Sequence, residues 1–205
     1  MDKLTLFSKV ICAVTALVFS LAAASAIAQE PVEADKLYDQ HCASCHGQDG
    51  RGSIGIPDLT NGVWQYGGTS QQITTSILNG RSGLMPGLGI PLGNEGVDQV
   101  VTFVLSLSNR TTASSEELAA GRQLFVVYCA SCHGQNGKGT ETIGAPDLTD
   151  NIWTHGDAEA DIRDVITNGR SALMPPFAAV LDEATAVALT AYLLEMGTPS
   201  VELAP

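Results

Sequence analysis

The sequence predicts an all-α chain built from two tandem copies of one small unit, and three observations carry that reading. The first is a duplication: Ile54-Gly55-Ile56-Pro57-Asp58-Leu59-Thr60 returns as Ile143-Gly144-Ala145-Pro146-Asp147-Leu148-Thr149, and Asn79-Gly80-Arg81-Ser82-Gly83-Leu84-Met85-Pro86 returns as Asn168-Gly169-Arg170-Ser171-Ala172-Leu173-Met174-Pro175. The second is helical spacing of apolar residues at corresponding places in both copies. The third is the scarcity of alternating β-branched runs, which argues against sheet. The offset between copies is 89 from Pro57 through Phe103 with no gap, and 87 ahead of it. The second copy therefore carries a two-residue insertion between His133 and Pro146.

Residues 1–28 stand apart from this pattern. Lys3 and Lys9 open the chain, residues 10–24 are apolar, and Ala26-Ile27-Ala28 precedes Gln29 as a small-residue cleavage site. These are the parts of a secretory signal peptide, cleaved near Ala28. The competing reading is a retained membrane anchor, because residues 10–28 approach spanning length; Thr15, Ser20 and Ser25 weaken it. Cys12 lacks the small-residue pattern of a lipoprotein signal. The expected product is a soluble periplasmic chain.

The first unit, 29–107, opens with a helix carrying Ala34, Leu37, Tyr38 and His41. The second, 116–205, opens with one carrying Gly121, Leu124, Phe125 and Tyr128. Ser114-x-x-Glu117 is a capping box that starts the second unit, and a short polar linker, 108–115, separates the two. Middle helices run to Asn79 and Asn168 and stop at Gly80 and Gly169, at plausible C′ positions. The closing helices carry Val97, Val100, Val101, Val104 and Leu105, then Ala186, Leu189 and Leu193.

Each opening helix leads into the same pentapeptide, Cys42-Ala43-Ser44-Cys45-His46 and Cys129-Ala130-Ser131-Cys132-His133. Cys-x-x-Cys-His is the attachment run for c-type haem: two thiols add across the porphyrin vinyl groups, and the histidine meets the iron. One copy would leave room for a zinc or redox remnant. Two copies heading matched repeats point to two covalently bound haem c groups, through Cys42, Cys45, Cys129 and Cys132. The haems would then complete cores that such small units cannot fill alone. Cys12 is the fifth cysteine, so the cleaved chain keeps no free thiol.

His46 and His133 are the expected proximal ligands. Met85 and Met174, each followed by proline at the same repeat position, are the candidate sixth ligands; a methionine there raises the potential relative to two histidines. The alternative role for both is gap-filling in a core. Met196 has no partner in the first repeat and reads as core. His41 and His155 align with Tyr128 and Tyr66, so neither position requires imidazole. Arg81, Arg170, Trp64 and Trp153 are candidate partners for haem propionates, with solvated or packing roles as the alternatives. Pro57 and Pro146 shape loops whose carbonyls would orient the ligand histidines.

Loss of Asp2, Lys3 and Lys9 takes the net charge from −12 to −13. Such acidity disfavours nucleic acid and anionic membranes, and favours docking on a basic partner face. Solubility alone is the plainer reading.

The run from Cys-x-x-Cys-His through Pro-Asp-Leu-Thr, Trp, Gly-Arg-x-x-x-Met-Pro and a closing amphipathic helix resembles class I cytochromes c. The nearest likeness is to the dihaem subunit of cbb3-type oxidases, then to dihaem cytochromes of the bacterial periplasm. The resemblance covers about residues 33–107 and 116–197 and implies two tandem cytochrome c-like haem domains with His/Met iron. It also implies a respiratory role relaying single electrons between a donor and a terminal oxidase or reductase. The oxidase subunit has transmembrane anchoring ahead of its haem domains, where this chain shows a leader. The expectation is therefore a freely diffusing, non-enzymatic carrier that meets membranes only through partner complexes. The alternatives are a cytochrome c subunit of a membrane redox complex and, less favoured, a dihaem oxidoreductase with its own substrate.

Overall fold

Helix starts and stops follow local side-chain chemistry in both repeats of the computed structural model, which describes residues 33–198; the signal-peptide assignment lies outside them. The first repeat contains α1 (Ala34–His41), α2 (Ala43–His46), α3 (Ser70–Asn79), strand β1 (Arg81–Met85) and α4 (Gly89–Leu107). The second contains α5 (Ser115–Tyr128), α6 (Ala130–His133), α7 (Glu159–Asn168), β2 (Arg170–Met174) and α8 (Glu183–Met196). A 3-10 turn at Glu141–Ile143 occupies the stretch where the second repeat gains its two residues.

The Ser114–Glu117 capping box forms as the sequence predicts, with the Ser114 hydroxyl accepting from Glu117 N–H and the carboxylate accepting from Ser114 N–H at 2.8 Å. Thr69 and Gln72 build the same device at α3. At α7 the matching position is Ala158, which has no oxygen to offer, so only the return bond to the Asp161 carboxylate exists. Gly80 and Gly169 end the middle helices at φ 68° and 72°, a region L-residues avoid.

The packing crosses the repeat boundary. One core cluster joins Val97, Val100, Val101, Phe103, Val104 and Leu105 of α4 to Phe125 and Cys129 at the end of α5 and to Ile162 and Ile166 of α7. The other joins Tyr38, Ala43, Ile73 and Ile77 of the first repeat to Leu181, Ala186, Leu189 and Leu193 around α8. We call these the second and first lobes, by the Cys-x-x-Cys-His each contains. Each opening helix thus packs on the closing helix of the other repeat. The aromatic pairs at the two crossings say the same: Phe125 lies 5.2 Å from Phe103, and Tyr38 lies 5.9 Å from Tyr192.

The crossover runs through a small antiparallel ribbon that the sequence reading lacks. β1 pairs with β2 in the register Arg81↔Met174, Gly83↔Ala172 and Met85↔Arg170. Gly83 and Ala172 are repeat equivalents, so the ribbon is locally two-fold and hands each chain segment to the opposite lobe. Equivalent bonds hold it on both sides: Leu88 N–H donates to Ile166 O at 2.8 Å, and Phe177 N–H to Ile77 O at 3.1 Å. The ends fit closely. A Cβ on Gly80 would sit 2.4 Å from Met174 O, and one on Gly169 2.4 Å from Met85 O. Among the described residues no helix is long and apolar enough to cross a membrane.

Candidate haem sites

α2 and α6 are single helical turns that put the two thiols of each motif at i and i+3, on one face. Cys42 is half-buried and Cys129 buried, while Cys45 and Cys132 are exposed. Burial first, and the neighbouring second thiol after it, push both Cys42 and Cys129 up to about 11. Two thiols one helical turn apart, directly ahead of a histidine, are spaced for covalent attachment to the two vinyl groups of one haem.

The histidines are set for that role. His46 Nδ1–H donates to the Pro57 carbonyl at 3.0 Å, and His133 Nδ1–H to the Pro146 carbonyl at 3.1 Å. This fixes the tautomer and leaves Nε2 as the free lone pair. Burial lowers both imidazole pKa values, outweighing the opposing carbonyl bond, so both rings are held neutral as an iron ligand requires. Gly52 and Gly139 let the proline loops close in: a Cβ there would lie 2.5 Å and 2.7 Å from the Pro57 and Pro146 carbonyl oxygens.

The methionines follow the crossover. Met85 packs against the cluster containing Cys129, and Met174 against the cluster containing Tyr38 and Ala43, with Cys42 beside it. A cavity of about 1000 Å³ spans both proline loops and is lined by Trp64 and Trp153. Within it the fit to a carboxylate-bearing cofactor can be tested. Trp153 Nε1 is buried with no hydrogen-bond partner among the described residues. A buried indole N–H left unpaired is costly, and a haem propionate is an acceptor of the right kind.

The other sequence candidates are placed elsewhere. The Arg81 guanidinium lies 4.5 Å over the Tyr66 ring and donates from Nε to Ser76 Oγ at 2.9 Å. Arg170 pairs with Asp164 and donates to Gly169 O at 2.7 Å. Both arginines are thus committed to protein partners. His41 meets Phe177 edge-on at 6.0 Å, His155 lies beside Gly55, and Met196 Cε abuts Gly50 in the first lobe. Sequence reasoning missed Arg110, whose Nη1 is also buried with no partner among the described residues and whose guanidinium lies 5.7 Å from the Trp153 ring centroid. A lone arginine in the linker carries no repeat signal by which to find it.

Two Cys-x-x-Cys-His turns, two carbonyl-oriented histidines and a helical scaffold define a dihaem c-type cytochrome. Its haems supply reversible one-electron storage at iron. The family model described as cytochrome c oxidase, cbb3-type, subunit III matches residues 29–104 and 116–193, and the chain belongs to that family. It is 39% identical over 171 residues to the cbb3-type cytochrome c oxidase subunit FixP of Bradyrhizobium diazoefficiens, covering 78% of this chain and 59% of that protein. Over 183 residues it is 39% identical to the cbb3-type cytochrome c oxidase subunit CcoP of Rubrivivax gelatinosus, covering 86% of this chain and 59% of that protein. The CcoP of Rhodobacter capsulatus is 35% identical over 175 residues, covering 76% of this chain and 59% of that protein. The chain therefore spans about three-fifths of the length of these relatives.

Proposed function

We propose that this chain is a cytochrome c subunit of a membrane oxidase complex, accepting single electrons from a donor and passing them towards the oxidase, without substrate chemistry of its own. The family match across both repeats carries this reading. It favours the complex-bound alternative over the freely diffusing periplasmic carrier expected from the leader. The haem units would lie on the periplasmic side, and the charge of −13 after leader removal would suit a donor with a basic face. The test is affinity purification of the tagged full-length chain from membranes of its own host. Recovery with an oxygen-consuming complex, and loss of oxygen uptake on deleting the chain, is the expected result. A chain recovered alone from the soluble periplasmic fraction would return the free carrier to first place.

Within each site, Cys42 and Cys45 hold one haem and Cys129 and Cys132 the other, with His46 and His133 as proximal ligands. The sixth ligands are assigned crosswise, Met174 to the His46 haem and Met85 to the His133 haem, because each methionine packs in the other repeat's lobe. A chain with Cys129→Ala and Cys132→Ala keeps one haem and decides the pairing. Its far-red methionine-to-iron band should vanish with Met174→Ala and survive Met85→Ala. The reverse would mean that each repeat ligates its own haem.

A further inference from the structure

We propose that Arg110, from the linker, is a propionate-binding residue of the second haem, and that its charge raises that haem's potential. Arg110 Nη2 donates to the Asp157 carbonyl at 2.5 Å and lies 3.4 Å from the Asp157 carboxylate. That explains one end of the fork. The other, Nη1, is buried with no partner among the described residues, and the guanidinium lies 5.7 Å from the ring centroid of Trp153, whose Nε1 is likewise buried with none. A guanidinium keeps its charge at every accessible pH, so an unpaired buried N–H on it is costlier than on a neutral donor. Two such donors beside one aromatic ring, within the lobe of Cys129 and His133, ask for one anionic acceptor. The carboxylate of the haem attached there is that acceptor.

Among the described residues, Arg110 is the one arginine with a buried side-chain nitrogen that lacks a partner. A cation bound at the porphyrin edge stabilises the iron form with the extra electron, so the effect is a higher potential for one haem of the two. The inference rests on haem attachment and not on the oxidase reading. It survives if the chain proves to be a free carrier.

The experiment is a spectroelectrochemical titration of the full-length dihaem protein, wild type against Arg110→Gln, Arg110→Lys and Trp153→Phe. Arg110→Gln should lower one midpoint by about a tenfold change in electron affinity, about 59 mV for one electron, and leave the other in place. Arg110→Lys should recover at least half of the shift, because it restores charge without the fork. Trp153→Phe should move the same midpoint downward by less. The proposal is overturned if neither midpoint moves, if both move together, or if Arg110→Gln and Trp153→Phe act on different midpoints. A lowered melting temperature with both midpoints unchanged would make Arg110 a clamp for the Asp157 loop and nothing more. Should Arg110→Gln yield no folded protein, Arg110→Lys and Trp153→Phe alone decide whether one midpoint responds.

Discussion

The two lobes are built from the same repeat and yet are not equally packed. In the second, Phe125 and Phe103 meet without a polar atom, and α5 lies so close to α4 that a Cβ on Gly121 would stand 2.1 Å from Gln99 O. In the first, the matching aromatics are Tyr38 and Tyr192, Tyr38 is fully buried and donates its hydroxyl to Gly47 O at 2.7 Å, and Ala34 stands where Gly121 does. The second lobe also has the longer opening helix, 14 residues against 8, with a side-chain cap where α1 has none. One lobe is held by close apolar contact, the other partly by a buried hydrogen bond. The haem-binding turn is the same in both repeats while the helix crossings differ, so the two turns sit in chemically distinct settings.

The strongest way to break this comparison is to remove the exchange between lobes. A chain ending at residue 107 keeps Cys42 to His46 but loses α8, against which Tyr38, Ile73 and Ile77 are buried. It should fail to give a stable low-spin haem protein by optical spectroscopy and thermal melting. A well-folded monohaem product would show that α4 can close on α1 of its own repeat.

Next in size is Phe125→Ala. The side chain is fully buried, and such truncations cost about 3–5 kcal/mol. Denaturant unfolding should show the second lobe weakened selectively, read from the haem it carries. Equal loss at both haems would mean that the lobes melt as one unit.

Gly121→Val should cost about 1–3 kcal/mol by overpacking against the Gln99 backbone, whereas Ala34→Val, where the first lobe already accommodates a methyl group, should cost less. Chemical denaturation of the two variants side by side measures the difference in helix approach directly.

The smallest effect is one of pH. Burial, the largest cause, pushes the Tyr38 phenol from 10.0 up to about 12, with Tyr192, Asp49 and Asp39 adding to it. The unfolded chain then loses this proton first as pH rises. The contribution is whole below pH 10 and disappears as pH climbs towards 12. Tyr38→Phe should be less stable than wild type by about 1 kcal/mol at neutral pH, from the lost bond to Gly47 O. The gap should close through that window in denaturant titrations. A gap that holds constant to pH 12 would mean that Tyr38 does not govern alkaline stability.

Much of this was legible in the residues. The two Cys-x-x-Cys-His turns, the proline carbonyls on the histidines, the capping box at Ser114 and the helix stops at Gly80 and Gly169 all depend on chemistry within a dozen or so positions. The partner of each helix did not. Phe103 and Tyr192 stand at equivalent places, so the apolar pattern of α1 or α5 fits either closing helix, and hydrophobic periodicity cannot choose between copies. The choice is made by the ribbon, whose Arg-Ser-x-Leu-Met segments show no strand pattern and pair only because a second copy lies antiparallel to the first. Arg110 was invisible for the opposite reason. It belongs to no repeat, and only its buried, unanswered nitrogen distinguishes it from a solvated linker arginine.

The crossing of β1 and β2 also sets an order in time. A ribosome makes the chain from its amino end, so Cys42, Cys45 and His46 emerge long before Glu183–Met196, the helix that roofs them. The first haem-binding turn must wait, uncovered, while the whole second repeat is synthesised. The second turn finds α4 already made when it appears. The last helix to be synthesised closes the earliest site.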